Sequence, residues 1–498
     1  MSSFESHFDR FRRNTVGYDH SFETPYGTKR LVYTDWIASG RLYRPIEEQI
    51  TNVLGPFVGN THSESSVTGS SMTRAYHEAR NVIKRHVGAG PNDAIIAADS
   101  GMTGVVNKLQ RILGMRIPER LLEYVHIPEE KRPVVFITHM EHHSNQTSWE
   151  ETIADVVWIP PDDSGLCRPD HLAEVVEAYK DRPLIGSFTA CSNVTGVRTP
   201  YHELARVMHE NGGLCFVDFA ASAPYESMNM HPEDPAEKLD AIFFSPHKFL
   251  GGPGSAGVMV FDRMLDHNVV PDHPGGGTVD WTNPWGEHRF RSDLEDREDG
   301  GTPPFLQTIR AALAIRLKEE MGTENIMARE EELLARAFPR LRAVRGLHIL
   351  ADHLEERLGV ISFYVDDVHY NLLVKLLNDR FGIQMRGGCS CAGTYGHYLL
   401  HVDQAHSRSI TDQIDLGDLS MKPGWVRFSI HPTTTDSELD YVLNAVEETV
   451  SQVEEWAKDY DYDSHINEFV HKADVDPLNE TIKGWFELMS DPVSSTQG

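Results

Sequence analysis

Short apolar runs recur along this chain, each closed by a polar or glycine-bearing turn and most separated from the next by a stretch with helical spacing. Ala94–Ala98, Val134–Thr138, Val156–Ile159, Leu184–Phe188, Leu214–Val217, Ala241–Phe244 and Val258–Phe261 read as strands. Helical spacing runs from Met72 to Val87 and from Val105 to about Leu113, and Pro45 opens a helix through Leu54, since proline suits the first turn. Strands alternating with helices predict a mainly parallel sheet covered on both faces. Leu31–Trp36 is a further short strand.

After Val269 the pattern breaks down into a segment rich in Gly, Pro and Trp that runs to Pro304, and so long an irregular stretch is more often functional than not. A helix from Pro304 to about Met321 then leads into a second region. It has strands near Leu358–Val365 and Trp425–Ile430, and helices near Asn371–Phe381 and Ser437–Lys458. Residues 1–30 are polar and aromatic with little period and read as an arm. The expected division is therefore an arm (1–30), a large domain (31–304), a smaller α+β C-terminal domain (305–460) and an acidic extension (461–498).

The 498 residues carry 75 acidic against 46 basic side chains, a formal charge of −29, which argues against nonspecific binding to nucleic acid or to an anionic membrane. The amino terminus lacks the apolar core of a signal peptide, and no apolar run reaches the ~18 residues of a membrane span. A soluble, cytoplasmic protein is expected. Five cysteines in so long a chain do not make a disulfide framework, so reduced thiols are the default.

The chemistry concentrates at turns that follow strands. Ser245-Pro-His-Lys248 sits between two apolar runs, with Gly251, Gly252, Gly254 and Gly257 close behind. A lysine at such a tip is ordinarily solvated. Presented after a buried strand beside His247, it could also be an amine nucleophile that forms a Schiff base. Upstream, Leu214–Val217 ends in Asp218, a carboxylate at the carboxyl end of a parallel strand, where open α/β sheets bind ligands. A buried carboxylate needs a cationic or hydrogen-bonding partner, and the ring nitrogen of pyridoxal phosphate is one. Asp218 taken alone could equally cap a helix.

Asp218 followed about thirty residues on by Ser245-Pro-His-Lys248 resembles the class V aminotransferase and cysteine desulfurase family of fold-type I pyridoxal-phosphate enzymes, from about Tyr33 to about Asp440. The resemblance implies an α/β fold with a large cofactor domain and a smaller C-terminal one, Lys248 as the catalytic lysine, and Asp218 under the pyridine nitrogen. Other motifs extend it. Gly101–Asn107 is similar to the family's Gly-Thr-Thr-Glu-Gly-Ile-Asn turn, which puts Met102 and Thr103 at the cofactor phosphate, and a strand–helix junction suits an anion there. Met140-Glu-His-His-Ser-Asn145 resembles the family's Glu-His-His-Ala-Asn loop, so His142 would stack on the ring. The alternatives are two surface histidines or a metal site, and adjacent side chains rarely reach one ion, so no metal is expected. Ser192-Asn-Val-Thr-Gly196 matches a family turn in which Asn193 would meet the ring hydroxyl; singly it is also a plausible turn asparagine. Ser245 and His247 would bind the phosphate. Glu298–Pro303, with Gly275–Gly277, implies a homodimer with shared active sites, Thr302 reaching the neighbouring subunit's phosphate. One departure is Asp218-Phe-Ala-Ala221, where desulfurases usually carry Asp-Gly-Ala-Gln; Ala221 cannot replace that glutamine.

Arg386-Gly-Gly-Cys-Ser-Cys-Ala392 resembles the Arg-x-Gly-x-x-Cys-Ala loop of one desulfurase group, aligning Cys391 with the catalytic cysteine and Arg386 with a site arginine. That role asks for an exposed thiol on a mobile loop, with arginine nearby to favour thiolate. The alternatives are an idle loop cysteine or a redox pair with Cys389. Arg427, in Trp425–Ile430, resembles the arginine that holds a substrate carboxylate. Gly393–Gly424 is an insertion that could lid the site, alter substrate choice or lie on the surface. The expected activity is removal of sulfur from L-cysteine through a persulfide on Cys391, giving alanine and passing sulfur to an acceptor protein. The alternatives are an aminotransferase, epimerase or β-eliminating lyase of the same family acting on another amino acid, or, outside enzymes, an inactive sulfur-relay scaffold.

Overall fold

The computed structural model describes residues 3–61, 64–473 and 478–488. Seven strands build its central sheet: β1 (Asp93–Ala98), β2 (Val134–Thr138), β3 (Asp155–Ile159), β4 (Leu184–Thr189), β5 (Leu214–Asp218), β6 (Ala241–Phe244) and β7 (Gly257–Asp262). Their order is β1-β7-β6-β5-β4-β2-β3. Only β7 runs against its neighbours, pairing antiparallel with both β1 and β6, so the other six point the same way. Successive residues of a strand face opposite sides. Accordingly, Ile95 and Phe244 join one core cluster while Ile96 and Phe243 join another on the far face. The apolar runs are continuous because both faces are buried.

Shared direction brings the carboxyl ends of β1, β2, β4, β5 and β6 to one edge. The turns leaving that edge carry Ser100–Thr103, His142, Asn193, Asp218 and Ser245–Lys248. Groups distant along the chain, from Ser100 to Lys248, are thereby brought to the ends of strands in one sheet.

The C-terminal region is a four-stranded antiparallel sheet, Leu347–Ile349, Val360–Val365, Trp425–Ser429 and Arg386–Gly388 in spatial order. Helices Thr323–Arg342, Tyr370–Phe381 and Asp436–Trp456 bury Leu333, Leu377 and Leu443 in its core. Arg386 and Arg427 are paired across two of these strands.

Several expectations shift. Residues 1–30 are not a patternless arm: Ser3–Asn14 is a helix, because Phe4, Phe8 and Phe11 recur at helical spacing, and Phe8 and Phe11 are buried in the large core. Val32–Tyr33 pairs with Ile383–Gln384, tying the start of the expected large domain to the C-terminal region. The helix Phe305–Met321 turns at Gly322, whose φ is +79°, into the unforeseen helix Thr323–Arg342. Part of the irregular stretch is a hairpin, Val279–Thr282 with His288–Phe290. The start of the acidic extension is also a hairpin, Tyr460–Asp463 with Glu468–His471, and Tyr460 donates to Asp379 at 2.9 Å; residues 474–477 and 489–498 of that extension lie outside the described residues. Among the described residues, no helix is long and apolar enough to cross a membrane.

One buried acid supplies a stability prediction. Glu330 is buried in the helix Thr323–Arg342, accepts the Gly359 N–H at 3.2 Å, and is pushed by burial from 4.5 up to about 8. The fold therefore binds a proton that the unfolded chain releases at lower pH. That contribution is complete below about pH 4.5 and lost as pH rises through about 8. Glu330→Gln is expected to flatten the fall in melting temperature across this interval and to raise it at the alkaline end. Thermal denaturation as a function of pH reads both effects.

Candidate active site

The strand-end turns enclose a cleft of about 370 Å³ lined by Ser100–Gly104, His142, Asn193, Asp218, Ser245, His247 and Lys248, with Arg386, Cys391 and Arg427 contributed by the C-terminal region. Every residue expected at the cofactor or substrate lines it except Thr302. Thr302 is exposed and lies in a separate depression with Lys108 and Glu298.

At the floor, Asp218 ends β5 and is buried; its Oδ1 accepts the Ala220 N–H at 2.8 Å. Burial pushes its carboxyl up to about 6, and the nearby Lys248 ammonium partly offsets this. Lys248 closes the turn Pro246–Lys248 after β6, and desolvation lowers it to about 8, with Asp218 opposing and Arg427 adding to the fall. This is a cation and an anion each made less costly to neutralise by burial, not a solvated loop lysine.

One end of the cleft is an anion cradle. Gly101 caps the helix Met102–Ile112, whose first N–H groups have no partner within the helix. Met102 N–H donates to Ser245 Oγ at 2.9 Å, and the Thr103 and Ser144 hydroxyls lie 2.6 Å apart. A Cβ on Gly101 would come within 3.1 Å of the His247 ring and 3.3 Å of Ser245 Oγ, so a side chain there would crowd the cradle. His247 Nδ1 is buried without a partner.

Above the floor, His142 is the cap of the helix His143–Glu150, its Nδ1 accepting the Ser144 N–H at 3.1 Å. Burial, then Lys248, hold its pKa down to about 3, so the ring is neutral. Asn193 donates from Nδ2 to Ser390 O at 2.7 Å, while its Oδ1 is buried and unpartnered. An unsatisfied buried acceptor, an unsatisfied imidazole nitrogen, an open helix N-terminus, a buried acid and a half-buried lysine suit a ligand with a phosphate, a hydroxyl and a basic ring nitrogen. Pyridoxal phosphate has all three.

On the C-terminal side, Arg427 is buried. It donates to Asp35 Oδ1 at 2.8 Å and to Asn193 O at 3.1 Å, and its Nε has no partner. Cys391 is exposed at the rim, and both Ser390 and Cys391 hold positive φ, +53° and +57°. Each such non-glycine residue costs ~1–3 kcal/mol and persists only when its surroundings impose it. Those surroundings are visible: Cys391 O accepts the His143 N–H at 2.8 Å, and Gly393 N–H donates to His143 Nε2 at 2.9 Å. The thiol is exposed as expected, but its loop is pinned at both sides instead of hanging free. The insertion forms two helices, Gly393–Leu399 and Gln404–Asp415. The first is anchored by buried Tyr395, whose hydroxyl lies 3.2 Å from Thr195 Oγ1; the second is exposed apart from Ile410 and a few flanking positions.

Asp35 and His143 were not singled out by sequence reasoning as site residues. Asp35 lies within the Leu31–Trp36 run and carries no motif of its own. His143 stood beside His142 with no distinguishing signal beyond the pair itself.

A doubly covered sheet with a lysine, an acid and an anion cradle at its carboxyl edge gives the class, the fold-type I architecture of pyridoxal-phosphate enzymes. The chain belongs to the aminotransferase class-V family, whose model matches residues 32–442. It is 28% identical over 372 residues to a cysteine desulfurase of Haloferax volcanii, a match spanning 73% of this chain and 81% of that one. It is 30% identical over 378 residues to a probable cysteine desulfurase of Staphylococcus epidermidis, spanning 74% and 85%. Among solved structures, the apo cysteine desulfurase from Thermococcus onnurineus NA1 matches with a TM-score of 0.69 at 21% identity, covering 89% of this chain and 98% of that one. The S-sulfonic acid form of the cysteine desulfurase CsdA from Escherichia coli gives 0.68 at 20%, with the same coverage. These structural likenesses concern the fold.

Proposed function

We propose that the protein is a cysteine desulfurase dependent on pyridoxal phosphate, and the observation that carries the reading is the exposed Cys391 thiol at the rim of a cleft that also holds Lys248 and Arg427. Asp218, His142, Asn193, Ser245, His247, Met102, Thr103 and Lys248 would hold the cofactor. When bound, that group supplies an electron sink for charge developing at an amino acid's Cα.

The chain's own residues do the rest. Arg427 binds the substrate carboxylate with the guanidinium edge that Asp35 and Asn193 leave open, and Arg386 adds a second positive charge at the same rim. Lys248, once free, takes the Cα proton on Nζ; its lowered pKa suits that exchange near neutrality. Buried Asp218 is the acid that would keep the cofactor's ring nitrogen protonated. Cys391 attacks the substrate sulfur: an S–S bond forms as the Cβ–S bond breaks, leaving a persulfide on the protein and the carbon skeleton as alanine. A reductant or acceptor protein then removes the outer sulfur. The reading extends to a homodimer in which Thr302 serves the neighbouring subunit, and to a cytoplasmic location.

Ala221, which lines the cleft where a glutamine would be expected, favours a second reading, an aminotransferase, epimerase or β-eliminating lyase of the same family. Incubation with L-cysteine and a thiol reductant separates the two. Equal amounts of alanine and sulfide are expected; a keto acid, a racemised amino acid or no alanine would dismiss desulfuration.

A further inference from the structure

We propose that His143 is a positioning residue that clamps the thiol loop, setting where Cys391 stands relative to the cleft; the kinetic part of this inference rests on the desulfurase reading. His143 opens the helix His143–Glu150, and a first-turn N–H has no acceptor inside its own helix. Its acceptor here is Cys391 O, at 2.8 Å. The side chain of the same residue takes the other flank of the loop, its Nε2 lying 2.9 Å from Gly393 N. A peptide N–H can only donate, so Nε2 accepts and the ring proton sits on Nδ1 in the neutral tautomer. One residue thus grips the carbonyl of Cys391 and the N–H two residues on.

One turn further along the same helix face, Gln146 Oε1 accepts from the Thr394 hydroxyl at 3.1 Å, continuing the seam. A Cβ at Gly393 would approach Nε2 to 3.2 Å, so glycine keeps the contact short. The arrangement divides the two adjacent histidines by task. His142 lines the cleft while His143 holds the backbone on both sides of Cys391, so both halves of the reacting geometry are referenced to one turn after β2.

The test compares His143→Leu, which removes the acceptor, His143→Asn, whose amide oxygen stands at the Nδ1 position and cannot reach Gly393, and His143→Gln, which restores an acceptor near Nε2. All are made in a Cys389→Ser background so that iodoacetamide reports on Cys391, with labelling located by mass spectrometry. For Leu and Asn, Cys391 is expected to alkylate several-fold faster. Their kcat for alanine formation from cysteine is expected to fall by about tenfold with KM little changed, well within the ~10²-fold that a 1 Å displacement can cost. Gln is expected to recover both values. Unchanged alkylation and kcat in Leu and Asn would overturn the clamp, and so would a Gln variant that behaves like Leu. Should the parent make no alanine, desulfuration fails by itself, and the alkylation rates still decide the clamp.

Discussion

Lys248→Ala is expected to lower turnover by at least ~10²–10⁴-fold, the range removed with a general acid–base group, and to abolish covalent retention of the cofactor. The expectation follows from where the amine sits. Desolvation brings Lys248 to about 8, so about one in ten of these amines is neutral at pH 7, against roughly one in several thousand for a solvated lysine. A neutral amine is both the nucleophile for a carbonyl and the base for a Cα proton. Its partner Asp218, already raised to about 6, can take up a proton when the ammonium is removed, so alanine at 248 costs activity without leaving a stranded buried charge. Lys248→Arg sharpens the test. It keeps the cation opposite Asp218 but cannot deprotonate, so it is expected to be as inactive as alanine. The checks are turnover with cysteine and the visible absorbance of protein supplied with pyridoxal phosphate and then desalted. Retention of colour and turnover in either variant would remove Lys248 from the chemistry. In the wild type, activity should rise with pH toward about 8 as the amine deprotonates.

How far this site can be read from sequence depends on whether a residue announces itself locally. Most strands of the central sheet were visible because they bury two faces, and a run such as Ala241–Phe244 admits few other readings. The reversed direction of Gly257–Asp262 was not visible, since an apolar run has no polarity of its own; the short return from β6 to β7 decides it. Asp218, Ser245 and Lys248 stand at strand ends and lie within motifs, so both context and pattern pointed to them. Asp35 and His143 act through partners 392 and 250 positions away, on Arg427 and Gly393, and neither spacing leaves any local trace. Phe4, Phe8 and Phe11 were a different kind of miss. Their helical spacing was present in the sequence, but three aromatics in a polar segment give a weak signal until the surface they cover is known.

Cys391→Ala is expected to cut alanine and sulfide formation by ~10⁴-fold or more, the scale seen when a nucleophile is deleted, while cofactor binding through Lys248 persists. The substitution isolates the thiol unusually well. Cys391 is exposed, so no cavity opens, and its φ of +57° costs alanine about what it costs cysteine. The bonds that hold the loop run through the Cys391 carbonyl, the Ser390 carbonyl and the Gly393 N–H, none of which the change touches. Cys389, half-buried and packed against the large core, has no such display and Cys389→Ser should leave turnover near the parent value. Single-turnover reaction with cysteine, followed by mass spectrometry, gives the direct reading: one extra sulfur on Cys391 in the parent and none in Cys391→Ala. If the alanine variant still releases sulfur at the parent rate, the sulfur leaves by elimination without a protein nucleophile, and the cleft belongs to a β-eliminating lyase whose rim thiol plays no part.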